Sequence, residues 1–263
     1  MQIRGRLFLI SGGASGLGRA TAQDLHAHGA FVSVLDLQRE AGMELASQLG
    51  PERFRFYETD ITNSDSIAAA VKGSVEWAKE QQVPLGGVLA AAGTGNAALI
   101  INKKNEPVPL SEFDYILKLN LRGTVDLIRQ VVPHMTNNAP FGPDSERGVI
   151  IMVSSSTAFE GQMGHSAYAA SKGAILSMTL PLAREFERFG IRVMSIAPAW
   201  FETKMTARLN ESARKNLAKG FEFPKRPGKP EDFALLVRQI VENGMLNGEV
   251  IRLDGATRIP SKM

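Results

Sequence analysis

Short apolar runs along the chain alternate with longer stretches in which hydrophobic positions recur every three or four residues. The runs lie at Arg6–Ser11, Phe31–Leu35, Arg53–Thr59, Leu85–Ala91, Gly148–Ser154, Ile191–Ala197 and Glu249–Leu253. Most are nearly continuous, the pattern of parallel strands covered by helices on both faces. Helical periodicity fills 16–28, 38–49, 64–82, 110–136, 167–189 and 231–243. Strand–helix alternation of this kind predicts an α/β fold, a doubly wound parallel sheet with right-handed crossovers.

No linker interrupts the pattern, so residues 1–263 are expected to form one domain. Three irregular stretches, 94–109, 137–147 and 199–230, are long for a compact domain and read as functional or surface loops. The last carries Phe201, Met205, Leu209, Phe221 and Phe223, which suit either an apolar lid or ordinary packing.

Composition narrows the function classes. The absence of cysteine excludes disulfides and thiolate metal sites. His26, His28 and His134 have no clustered ligands, so no metal site is expected. The most apolar stretch, Leu85 to Ile101, contains four glycines and Asn96, which suits a strand entering a loop better than a membrane span. The first strand begins so close to Met1 that no signal peptide is expected. Net charge is +3, with Lys and Arg scattered among Asp and Glu. That scatter argues against a nucleic-acid partner and suits an enzyme that handles anionic ligands.

The candidate chemistry begins where the first strand ends, in Ser11-Gly12-Gly13-Ala14-Ser15-Gly16-Leu17-Gly18. Gly12, Gly16 and Gly18 stand where a chain must turn tightly and approach a pyrophosphate, and the following helix aims free N–H groups at it. Glycine-rich turns are common. The strand-to-helix position is what gives this one meaning. The second strand then reaches Asp36, eighteen residues past Gly18. A carboxylate there accepts both hydroxyls of an adenosine ribose and repels a 2′-phosphate, which favours NAD. Leu37 follows, and Arg39 is the nearest cation to serve NADP.

Tyr168-Ala169-Ala170-Ser171-Lys172 puts Tyr168 and Lys172 four apart, on one helix face. A free tyrosine, with pKa about 10, is a poor base at neutral pH. A unit charge ~4 Å away is worth roughly 4 kcal/mol at an effective dielectric of 20, so Lys172, helped by a positive nicotinamide, would bring Tyr168 toward working pH. Ser155 follows the fifth strand, where active-site groups gather in such sheets, and its hydroxyl suits binding of the reacting oxygen. Asn120, midway along the long 110–136 helix, suits a water-mediated proton relay to Lys172. Taken alone it reads as a solvated helix residue.

Together the loop Ser11–Gly18, Asn120, Ser155 and the Tyr168/Lys172 pair resemble the cofactor loop and Asn–Ser–Tyr–Lys tetrad of the short-chain dehydrogenases/reductases, in order and spacing over essentially the whole chain. The resemblance implies a Rossmann-type sheet of seven strands in the order 3-2-1-4-5-6-7. It implies a homotetramer built by pairing the helices that carry Asn120 and Tyr168. Ser11, Gly12, Ser15, Gly16, Leu17, Gly18, Asp36, Gly93, Tyr168 and Lys172 would hold the cofactor, with Asp60 and Ile61 flanking the adenine and Thr203 bonding the carboxamide. Ala158–Gln162, Gly190–Met194 and Leu246–Ala256 resemble the branch of that family that oxidises 3-hydroxyacyl-CoA and some hydroxysteroids with NAD. Gln162, with Ser155 and Tyr168, would then touch the substrate.

Two departures from the family pattern stand out. Its Asn-Asn-Ala-Gly turn is Ala90-Ala91-Ala92-Gly93 here, and its Pro-Gly after the sixth strand is Pro198-Ala199. Alternatives to the acyl-CoA reading are a steroid, polyol or secondary-metabolite ketone, or a non-catalytic scaffold that keeps the fold. His165 reads as a loop histidine rather than a pocket residue. The tripeptide Ser261-Lys262-Met263 resembles a peroxisomal address and is so read for a eukaryotic source. A bacterial source implies the cytoplasm, and the mitochondrial address of the resembled branch is harder to see without an N-terminal extension.

Overall fold

The computed structural model describes residues 1–95, 99–204, 206–208, 211 and 217–258. Seven strands, β1 (Leu7–Ser11), β2 (Phe31–Asp36), β3 (Phe54–Glu58), β4 (Leu85–Ala90), β5 (Gly148–Val153), β6 (Ile191–Pro198) and β7 (Val250–Leu253), form one parallel sheet. Their order is β3-β2-β1-β4-β5-β6-β7. The helices are α1 (Gly16–Ala27), α2 (Arg39–Leu49), α3 (Ser64–Glu80), α4 (Leu110–Leu117), α5 (Gly123–Met135), α6 (Ser166–Phe186) and α7 (Pro230–Glu242).

The alternation of side chains along each strand feeds two cores. Leu7 and Leu9 of β1 face Ile67 and Val71 of α3, Leu127 and Val131 of α5, and Ile175 of α6. Phe8 and Ile10 face the other way, with Leu25 of α1, Leu45 of α2, and Phe233, Val237 and Ile240 of α7. Every residue of β1, β4, β5 and β6 is buried, which is why these runs are almost wholly apolar, with Ser11, Arg192 and Ser195 as the polar exceptions. Each fully buried Leu or Phe side chain contributes roughly 1.5–3 kcal/mol, so the two layers dominate stability.

Local signals end the elements where the sheet needs them to end. Asn63 caps α3, its side chain accepting from the Asp65 and Ser66 amides. Gly190 takes a left-handed conformation (φ 67°) between α6 and β6, where a Cβ would lie 2.5 Å from the Ser145 carbonyl oxygen. The strand order reverses between β1 and β4, which opens a crevice at the carboxyl ends of those strands.

The long helix expected over 110–136 is not continuous. A π-helical turn, Lys118–Arg122, separates α4 from α5, with Asn120 at its centre. Just after it, Gly123 lies so close to the Ile61 carbonyl oxygen that a Cβ would come within 2.6 Å. The loop 199–230 also differs from a simple lid. The Phe201 ring is buried, edge-on against Phe233 at 6.4 Å, and Phe221 stacks on Trp200 at 5.4 Å. Both are packing residues, whereas Phe223 is exposed. Met205, Leu209 and the tripeptide Ser261–Met263 lie outside the described residues. Among the described residues, no helix is long and apolar enough to cross a membrane.

Candidate active site

At the reversal point the chain forms a cleft of about 430 Å³, the volume range of small-molecule sites. Its floor is the turn from β1 into α1. Gly12 adopts φ 65° and packs against the β4 end, where a Cβ would lie 2.8 Å from Ala92 backbone atoms. A Cβ on Gly18 would meet the Gly12 carbonyl oxygen at 2.3 Å. Only glycine lets the helix start this close to the strand, leaving an open cradle above it. The Ala90–Gly93 departure fits this packing, and the Ala92 amide finds its acceptor in Ser11 Oγ at 3.2 Å.

Asp36 closes β2 at the edge of the cradle. Its carboxylate accepts from the Ala14 amide (3.0 Å) and the Gln38 amide (2.9 Å) and is buried apart from the face toward the cleft. These two amides and, at 3.4 Å, Gln38 Nε2 hold it in place, and among the described residues no cation pairs with it. Arg39 instead pairs with Glu58 at 3.1 Å. Asp60 and Ile61 line the same end of the cleft, Asp60 with one oxygen held by the Thr62 amide and hydroxyl at 2.8 Å. Thr203 overhangs Gly16, whose added Cβ would touch its methyl at 3.3 Å.

At the other end stand Ser155, Tyr168 and Lys172. Ser155 follows β5, caps the short 3₁₀ turn Ser156–Ala158, and accepts from the Thr157 amide at 3.1 Å. Tyr168 lies in the first turn of α6, facing Ser155, and Lys172 lies one turn on. Lys172 Nζ donates to the Val153 carbonyl (2.8 Å) and sits 5.8 Å from the Tyr168 ring centre. Burial pushes the Tyr168 hydroxyl above its ordinary pKa, and hydrogen bonding from Ser155 opposes this only in part. Burial also brings Lys172 down to about 8. Without a bound nicotinamide, whose charge the expectation also invokes, Lys172 does not bring Tyr168 down in the protein by itself. Desolvation penalises both charged forms, and it outweighs their coupling.

Asn120 is fully buried, and its side chain is committed. Oδ1 accepts from the Thr94 amide (2.8 Å), while Nδ2 donates to the Thr94 carbonyl and to Ser171 Oγ, both at 3.0 Å. It ties the β4 exit to α6 from behind, so it is no solvated helix residue. Gln162 lies off the cleft wall, with its amide nitrogen buried and no hydrogen-bond partner. His165 sits at the start of α6, its ring 6.3 Å from that of Tyr168. Apart from Ser11, Asn120 and Gln162, every residue expected at the site lines the cleft. Sequence reasoning missed Thr94, whereas the Pro198-Ala199 departure it noted also lies at the cleft. The Ala199 amide donates to Leu253 (3.2 Å), so the residue after Pro198 is a fixed joint between β6 and β7.

Comparison with known proteins agrees with this geometry. The short chain dehydrogenase family profile matches residues 6–214. The 3-hydroxyacyl-CoA dehydrogenase type-2 of Drosophila melanogaster is 43% identical over 258 residues, 98% of this chain and 99% of that protein. The crystal structure of 3-hydroxyacyl-CoA dehydrogenase type-2 from Mycobacterium avium superposes with a TM-score of 0.91 at 37% identity, covering 98% of both chains. A 3-ketoacyl-(acyl-carrier-protein) reductase from Brucella melitensis, complexed with NADH, gives 0.82 at 26%, covering 97% of this chain and 98% of that one. The chain is an oxidoreductase that belongs to the short-chain dehydrogenases.

Proposed function

We propose that the protein interconverts 3-hydroxyacyl-CoA and 3-ketoacyl-CoA with NAD. The observation that carries the reading is the grouping of Ser155, Tyr168 and Lys172 at one end of a cleft whose other end presents an open glycine cradle and an un-neutralised Asp36. That cradle fits a dinucleotide, because the Cβ-free faces of Gly12 and Gly18 and the start of α1 leave room and N–H groups for a pyrophosphate. Asp36, Asp60 and Ile61 would hold the adenosine half, and Thr203 and Lys172 the nicotinamide half. When bound, the nicotinamide supplies the hydride acceptor and a positive charge beside Tyr168.

The protein's own groups handle the proton. Tyr168 takes it from the substrate hydroxyl as the carbonyl forms, with Ser155 donating to the same oxygen. Lys172, held by the Val153 carbonyl, favours the phenolate as its own charge is stabilised in the filled cleft. Asn120 keeps Lys172 and the β4 exit in register and so supports a proton path behind them. Gln162 lies off the cleft wall, with a buried amide donor that has no acceptor among the described residues, and would turn toward the thioester carbonyl on substrate binding. The names of the similar enzymes point to the same substrate class. A homotetramer in solution and, for a eukaryotic source, peroxisomal residence through Ser261-Lys262-Met263 complete the reading. Light scattering and imaging with and without residues 261–263 test those two parts.

A substrate panel followed by NADH absorbance tests the main one. Acetoacetyl-CoA reduction and 3-hydroxyacyl-CoA oxidation are expected to outpace polyols and sugars. Turnover of a polyol with none of any acyl-CoA would refute it. Cofactor choice rests on Asp36, so NAD is expected to be preferred over NADP by at least ~10-fold in kcat/KM, about 1.4 kcal/mol. Asp36→Ala narrows that gap, since it removes both the ribose acceptor and the repulsion of a 2′-phosphate. Equal use of both cofactors by the unaltered protein would overturn the assignment.

A further inference from the structure

We propose that Arg252 is a positioning residue that anchors the segment between Ser155 and Tyr168 and thereby sets the fit of the acyl substrate. The proposal rests on the acyl-CoA reading above. Arg252 stands in β7, paired in register with Ala197 of β6, next to the Pro198–Ala199 joint that lines the cleft. Its guanidinium reaches across to the other wall. Nη2 donates to the Glu160 carboxylate, Nε donates to Asp254 at 2.6 Å, and the plane lies over the Phe159 ring at 4.9 Å. Arg258 repeats the link from outside, with Glu160 at 3.3 Å and Asp254 at 3.2 Å, but its side chain is 63% exposed against 22% for Arg252.

The segment so gripped holds both ends of the chemistry. The Phe159 and Glu160 amides donate back to the Ser156 carbonyl at 3.0 Å, locking Glu160 to the turn that Ser155 caps. Five residues on, the His165 amide donates to the Gln162 carbonyl (3.1 Å), and α6 begins with Tyr168 in its first turn. A planar fork that satisfies two carboxylates and covers a ring cannot be replaced by a point charge. Without it, Glu160 and Asp254 lose the fork that joins them, and the link left between them runs through the exposed Arg258. The segment then drifts from β7, carrying Gln162 with it, while the cofactor cradle on β1 and β2 stays in place.

The test uses the full chain with Arg252→Met, Arg252→Lys and Glu160→Gln. Steady-state kinetics with acetoacetyl-CoA and NADH are combined with NADH affinity and with hydrogen exchange of the 156–165 amides. In Arg252→Met we expect KM for acetoacetyl-CoA to rise at least ~10-fold with kcat and NADH affinity changed less than ~3-fold, the signature of lost substrate binding. Arg252→Lys should fall between, and Glu160→Gln, which keeps an acceptor, should show a smaller rise in KM. Exchange should quicken across 156–165 in Arg252→Met. An unchanged KM, or NADH affinity falling in step with it, would overturn the proposal in favour of a general fold staple. Glu160→Gln carries the same test should Arg252→Met fail to fold. If the unaltered protein turns over no acyl-CoA, the functional reading fails, and the exchange data still decide the anchor: faster exchange confined to 156–165 supports it, and unchanged exchange refutes it.

Discussion

Tyr168→Phe is expected to lower turnover by at least ~10³-fold while the protein still folds and binds NADH, because a positioned general acid/base typically contributes 10²–10⁴-fold. The substitution removes one hydroxyl and nothing else. The ring keeps its place beside His165, and Lys172 keeps its bond to the Val153 carbonyl. Lys172 is held away by the Val153 carbonyl, and Asp36 and Asp60 lie by the glycine cradle, so none of them replaces the lost proton donor. Ser155→Ala is expected to cost less, about 10²-fold, as for other lost oxyanion-type donors. Part of that loss reflects the turn it caps, since the Thr157 amide also loses its acceptor. Turnover read by NADH absorbance, alongside NADH affinity read by fluorescence, separates chemistry from binding. A Tyr168→Phe enzyme within tenfold of the parent would remove Tyr168 from the mechanism.

The parts of this site that were legible in the sequence share a physical property: each is local. The glycine cradle shows because its three glycines must lie within one strand-to-helix turn. Tyr168 and Lys172 show because a helix fixes their spacing at one turn. The seven strands show because double-sided burial leaves continuous apolar runs. What escaped was decided between distant residues. Glu160 and Arg252 are 92 positions apart, and nothing in either segment announces the pairing. Phe201 suits a lid or ordinary packing equally until Phe233 is seen against it. The π turn at Asn120 adds a single residue to a helical register, too small a change for hydrophobic periodicity to reveal. Burial of Tyr168 and Lys172 together is likewise a tertiary fact. It raises the tyrosine in the protein by itself, where the charges of Lys172 and a bound nicotinamide are together expected to lower it.

That burial predicts a stability cost built into the site. The ammonium of Lys172, buried and facing no carboxylate in the protein by itself, titrates near 8 instead of 10.5. Its folded-state pKa is depressed, so between pH 8 and 10.5 the unfolded chain holds a proton that the folded protein has shed. Stability therefore rises with pH across that window. Below pH 8 the full penalty applies, about 3 kcal/mol at 1.36 kcal/mol per pKa unit. Tyr168, raised above 10, works in the opposite sense only above pH 10, so the span from 8 to 10 belongs to the lysine. Lys172→Met should accordingly abolish activity yet stabilise the ligand-free protein at pH 7. The gain is about 1–2 kcal/mol, once the donor lost to the Val153 carbonyl is subtracted. Urea unfolding of both proteins at pH 7, 8, 9 and 10 measures it, with the advantage of the variant shrinking as pH rises. Equal stabilities at every pH would show that the lysine is solvated in the folded state. On the proposed role of Lys172 in holding the cofactor, saturating NAD should erase or reverse the difference, since the variant would have no group to do so.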